Sequence, residues 1–132
     1  MKIILESSWF DAAGNSLCGS KCSNCGKVYF PKKEICSECF HDQLSVIPLS
    51  KKGILHTFAI SHLGIPGIEV PYAMGFIELP EKIKIFSMLT DCEPWDKKLK
   101  IGMEMEMIMG VIRRDEHGNE ILSYKFRPFT EI

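Results

Sequence analysis

Residues 22–39 read CSNCGKVYFPKKEICSEC, two C-x2-C pairs separated by ten residues. A C-x2-C pair folds into a knuckle that turns both sulfurs toward one point, and two knuckles can share one tetrahedral metal ion. Cys22, Cys25, Cys36 and Cys39 are therefore the expected ligands. Gly26, directly after the first pair, permits a left-handed backbone that aims amides at the sulfurs. Four thiolates leave no open coordination position, which makes the ion structural rather than catalytic. Its role is to hold together a segment too short to bury a core of its own.

Zinc, as Zn2+, is the expected ion. Iron competes, because Cys22-Ser23-Asn24-Cys25-Gly26 followed by Tyr29 reads like half of a rubredoxin. The second knuckle lacks the matching glycine and runs on into Phe40. Two other uses of paired cysteines fit poorly: disulfides belong to oxidising compartments, and redox pairs sit at a helix start in a βαβ unit. Cys18 and His41 are nearby spare donors that could replace a ligand.

Short strands are expected on both sides of the first knuckle, over residues 17–21 and 27–30, with Pro31 ending the second. Residues 17–45 thus form a rubredoxin-like zinc ribbon. Residues 1–16 are expected as an N-terminal helical segment, with Ser8 or Asp11 as its cap and Gly14-Asn15 as its stop. Beyond residue 45 the pattern changes. Strand signals at residues 54–62, 72–79, 83–89, 102–112 and 121–126 are divided by Gly- and Pro-rich turns. In the fourth of these, Met103, Met105, Met107 and Met109 alternate with Glu104, Glu106 and Ile108, a period of two whose methionine face belongs in a core. Residues 91–98 are a connector with room for one helical turn. Five strands and no long helix give a mainly β chain, with residues 46–132 as a small antiparallel OB-fold barrel.

The formal net charge of −1 lacks the basic excess with which nucleic-acid-binding domains neutralise phosphate. A single-stranded nucleic-acid-binding module remains an alternative reading, because ribbons and OB-folds both serve that purpose. A rubredoxin-like electron carrier is another. No apolar run reaches the ~18 residues of a membrane span. The apolar stretch Ile3-Ile4-Leu5 is far short of the ~7–15 residues of a signal peptide, so a cytoplasmic location is expected. Catalytic equipment is sparse. Cys92 lies between Asp91 and Glu93, acids that disfavour a thiolate. His56 and His62, six apart on one expected strand, would face the same way and could line a pocket. Neither a phosphate loop nor a nucleophile elbow is present. The chain is read as not catalytic alone.

An ordered series of short motifs spans nearly the whole chain: Trp9-Phe10, Cys22-x2-Cys25-Gly26-x2-Tyr29-Phe30-Pro31, Cys36-x2-Cys39, Gly53, Pro71-Tyr72, Glu78-Leu79, Gly102 and Phe126-x-Pro128. The series resembles the zinc-ribbon plus OB-fold proteins known as domain of unknown function 35. The resemblance implies a non-catalytic accessory subunit in a heteromeric complex with a thiolase-like acyl-CoA enzyme. Such subunits support thiolases, hydroxymethylglutaryl-CoA synthases and steroid side-chain aldolases, and include the small subunit of benzoylsuccinyl-CoA thiolase. It implies that nucleophile and base belong to the larger subunit, and that this chain bridges protomers and helps shape the CoA site. CoA phosphates call for Lys or Arg, and its adenine for an apolar or aromatic wall. Lys32 and Lys33 beside Tyr29 and Phe30 offer both, and Arg113 with Arg114, or Arg127 beside Phe126, are the alternatives.

Overall fold

The computed structural model describes residues 2–5, 9–10, 16–64, 67–93 and 95–129. Among them the order is β1 (Lys2–Ile4), β2 (Cys18–Cys22), β3 (Val28–Tyr29), β4 (Leu44–Pro48), β5 (Lys52–Ser61), β6 (Tyr72–Glu78), β7 (Lys84–Leu89), α1 (Trp95–Lys98), β8 (Glu104–Arg114) and β9 (Glu120–Pro128).

The period-two segments become a barrel. β6 and β7 form a hairpin whose turn needs a left-handed residue, supplied by Lys82 at φ 66°. β5 pairs with β6 on one side and β8 on the other, and β8 pairs with β9 over nine positions. One parallel contact, Leu89 against Phe126, closes the circuit between β7 and β9. The Thr90 N–H backs it by donating to the Phe126 carbonyl at 3.0 Å. The resulting closed five-stranded barrel, with the single turn of α1 between its third and fourth strands, is the OB-fold expected from the sequence.

Inward side chains fill the barrel. Leu55, Ile77, Met105 and Phe126 are fully buried, and Leu79, Ile85, Leu89 and Leu99 nearly so. The methionine stripe is core, with Met107 also buried and Met103 and Met109 packed against it. The same core cluster continues into the ribbon through Leu17, Val28 and Leu49.

Three features depart from the sequence reading. First, residues 2–4, ahead of the helix expected from Ser8 or Asp11, form a strand that the sequence reading did not include. β1 lies parallel to β9, Lys2 opposite Glu120 and Ile4 opposite Leu122. A β-branched run meets an open strand edge there, and pairing with β9 gives its backbone the hydrogen bonds it needs. The expected caps, Ser8 and Asp11, lie outside the described residues. Second, β4, which has no counterpart among the strands expected from the sequence, pairs with β2 from Cys18–Pro48 to Cys22–Leu44. The ribbon sheet, in the order β3-β2-β4, therefore has three strands rather than two. Pro48 is tolerated because β4 is an edge strand and Pro48 its last residue. Third, β5 carries a bulge between Leu55 and Thr57. The extra residue, His56, switches the inward parity from Gly53 and Leu55 to Phe58 and Ile60. His56 and His62 therefore do not share a face, and both are exposed.

Candidate metal centre

The two knuckles are built on one plan. The Cys22 N–H donates to the Lys27 carbonyl and the Gly26 N–H to the Cys22 carbonyl, at 2.9 and 3.0 Å. The Cys36 N–H likewise donates to the His41 carbonyl and the Phe40 N–H to the Cys36 carbonyl, at 2.9 and 2.8 Å. Both turns need a left-handed residue at the fifth position. Gly26 takes it at φ 79° and Phe40 at φ 60°. The sequence signal that the second knuckle lacks a glycine is thus met by a strained phenylalanine. Its side chain is 78% exposed and gains little from burial. A left-handed non-glycine residue costs roughly 1–2 kcal/mol. Phe40→Gly is therefore expected to raise the thermal midpoint of the metal-loaded chain by a few degrees, read by scanning calorimetry. A fall in the midpoint would show that the exposed ring contributes more than the backbone loses.

The knuckles bring Cys22, Cys25, Cys36 and Cys39 together, with all four sulfurs within 4.8 Å of one another. The cross-knuckle pairs Cys22–Cys39 and Cys25–Cys36 stand at 3.5 Å. A tetrahedral ion with zinc–sulfur bonds of ~2.3 Å calls for sulfur–sulfur edges of about 3.8 Å, so the residues present fit the group. Neither Cys18 nor His41 joins the cluster. Cys18 is held in β2 opposite Pro48, and His41 contributes its carbonyl to the second knuckle. Cys92 is buried in the barrel core.

Electrostatics within the cluster is uneven. The Tyr29 hydroxyl pulls the Cys36 thiol down to about 6. The Cys25 amide lowers the Cys22 thiol. The Lys27 amide favours the Cys25 thiolate, but the neighbouring sulfurs, Cys36 first, outweigh it and push that thiol up to about 12. Four thiolates so close together hold their charge only with a cation among them, and a bound ion deprotonates its thiols outright. On the surface, Lys27 bridges to Glu38 at 2.9 Å and links the knuckles. Both side chains are exposed, so the pair adds little.

The residues proposed for CoA are dispersed. Lys32 and Lys33 line a groove of about 670 Å³ with Ser20, Ile35, Leu44 and Val46, and with the acids Glu34 and Asp42. Tyr29 is not part of that groove. It is buried, its hydroxyl reaches Cys36 and Ser37, and the Lys33 ammonium lies 4.6 Å from its ring centre. Phe30 packs edge-on against Trp9 and Tyr124 where ribbon meets barrel. Arg113 and Arg114 line a different groove, with Gly67, Asp115 and Glu116. Arg114 pairs with Glu120 at 3.3 Å, and Arg127 with Glu106 at 2.7 Å. Sequence reasoning missed Ser37 and the inward turn of Tyr29. The only signal for the latter was the alternation of Val28 and Tyr29, which puts them on opposite sides of β3.

Comparison with known proteins agrees with this architecture. Residues 11–45 match the family model for the rubredoxin-like zinc ribbon domain of ChsH2, and residues 46–116 the model for its C-terminal OB-fold domain. A benzoylsuccinyl-CoA thiolase subunit, BbsA, of Thauera aromatica is 35% identical over 89% of this chain and 79% of its own length. A DUF35 domain-containing scaffold protein of Methanocaldococcus jannaschii is 38% identical over 85% of this chain and 81% of its own length. The solved Ltp2–ChsH2(DUF35) aldolase superposes with a TM-score of 0.74 at 25% identity, covering 91% of both chains. With the two domains in the same order and the cysteine cluster in the first, the chain belongs to the ChsH2-type DUF35 family of zinc-ribbon plus OB-fold proteins.

Proposed function

We propose that this chain is a zinc-binding accessory subunit of a thiolase-like acyl-CoA enzyme, docking to the catalytic subunit and helping to shape its CoA site. One observation carries the reading: the match to a named thiolase subunit extends over 89% of the chain, through both domains. The scaffold and aldolase relatives support a role in assembly. Apolar side chains on the ribbon surface also support docking, with Ile35 and Val46 in the lysine groove and Phe40 on the second knuckle, each more than half exposed. The cytoplasm is the fitting compartment, since thiols must stay reduced to hold the ion. No helix among the described residues is long and apolar enough to cross a membrane.

The Lys32–Lys33 groove is the better candidate for CoA, because it sets two cations against the apolar side chains of Ile35, Leu44 and Val46. The Arg113–Arg114 groove already spends one cation on Glu120. The test is co-expression with a thiolase-like subunit from the same source. The two chains should elute together, and CoA-dependent acyl cleavage should need both. In that complex, Lys32→Ala with Lys33→Ala should raise the KM for CoA about 10-fold, the loss of one charge-assisted contact or more. A chain that elutes alone, with partner turnover indifferent to it, would overturn the assignment. An intact complex with unchanged KM would move CoA away from this groove.

A further inference from the structure

The buried hydroxyl of Tyr29 does more than fill space. Three polar groups surround it: the Cys36 sulfur at 3.2 Å, the Ser37 hydroxyl at 3.0 Å and the Ser37 N–H at 3.0 Å. A phenol has one proton to give and two lone pairs to receive with. The Ser37 N–H can only donate, so it takes one lone pair. A metal-bound sulfur is a thiolate and can only accept. The phenol proton must therefore go to Cys36, and the Ser37 hydroxyl donates into the second lone pair. The phenol's one proton and both of its lone pairs are thereby used.

We infer that Tyr29 is a positioning residue for the metal site, fixing the orientation and donor strength of the Cys36 thiolate and so setting how tightly the ion is held. The inference concerns this chain alone and does not depend on any partner. The arrangement suits the task for three reasons. Tyr29 stands on β3, the strand that returns from the first knuckle, while Cys36 opens the second. The hydrogen bond thus ties the second knuckle to the sheet of the first. The ring is 7% exposed, so water does not compete for the hydroxyl. Ser20, on β2 opposite Tyr29, accepts the Lys33 N–H at 2.6 Å, which fixes the chain between β3 and the second knuckle. Hydrogen bonds from outside the ligand shell are worth roughly 10–100-fold in metal affinity at other sites.

The test uses the full chain with Tyr29→Phe, which keeps the ring and deletes only the hydroxyl. The first readout is zinc loss to an excess of a chromophoric chelator, expected to speed up about 10-fold. The second is the sulfur-to-metal charge-transfer band of the cobalt-substituted chain. Losing a hydrogen bond makes the thiolate a better electron donor, so the band should move to longer wavelength. A change in packing alone would leave that band where it is. Ser37→Ala gives a second handle, since it removes one donor to the phenol oxygen while leaving the phenol proton directed at Cys36. It should speed zinc loss by less than Tyr29→Phe and move the band in the same direction. If Tyr29→Phe fails to fold, Ser37→Ala decides. Zinc loss within twofold of the unaltered chain and an unmoved band, in whichever variant folds, would overturn the inference.

Discussion

Cys36→Ser should leave the chain with almost no bound zinc and no folded ribbon. Cys36 is fully buried, and its sulfur lies within 3.5 Å of Cys25 and 3.2 Å of Tyr29. Structural zinc contributes roughly 10–16 kcal/mol to the folding of zinc-finger peptides, which equals or exceeds the ~5–15 kcal/mol stability of a whole domain. The ribbon sheet has little else. β3 is two residues long, and among the described residues the cluster around the cysteines contains only Tyr29 and Leu44 besides them. The damage should not stop there, because Leu17, Val28 and Leu49 belong to the same core as the barrel. Uncovering that face should lower the barrel's own thermal midpoint by about 10 °C or more. Metal analysis, amide spectra assigned for residues 17–48 and thermal melts of loaded, chelated and Cys36→Ser chains would measure all three. A barrel that melts at the same temperature without the ion would show that the two parts fold independently.

Phe126→Ala should be the most damaging single change in the barrel, at ~3–5 kcal/mol. Phe126 is fully buried on β9, opposite Met107 on β8, and forms the one parallel contact with Leu89 that closes the circuit. Its ring also meets Tyr124 edge-on at 6.5 Å. Removing it opens a cavity at the seam, where the fewest hydrogen bonds resist strand separation. Phe86→Ala is the control. Phe86 is 49% exposed and loses chiefly its edge-on partner Phe76, for about 0.5–1.5 kcal/mol. Urea denaturation separates the two. Equal costs would mean that the seam is not where the barrel's stability concentrates.

The fold was legible where it depends on local pattern. The Met103–Met109 alternation, the strands cut by Pro80 and Gly118, and the paired knuckles all announce themselves within a few residues. What stayed hidden depends on partners far along the chain. β1 is three residues long, and only the open edge of β9 makes it a strand. β4 becomes a strand because β2 needs a second neighbour. The bulge at His56 is set by how β5 fits against β6, and it undid the reasoning that placed His56 and His62 on one face. At the site, the four ligands followed from spacing alone. Tyr29 did not, because an aromatic beside two lysines reads equally well as the wall of a groove. Which side of a two-residue strand faces the metal is decided only when both knuckles are in place.

The strand pairings also differ in when they can form as the chain is made. β2, β3 and β4 and all four ligands lie within one stretch ending at Pro48, so the knuckles can capture an ion while later residues are still being added. The barrel has to wait for β9, which supplies the partner of β8, the closing contact with β7 and the edge that receives β1. In vectorial synthesis, metal uptake can therefore precede barrel closure. A cell short of the ion would release chains whose barrel is complete but whose covering face, Leu17, Val28 and Leu49, never assembles. Supply of the ion would then set how many chains leave the ribosome able to avoid aggregation.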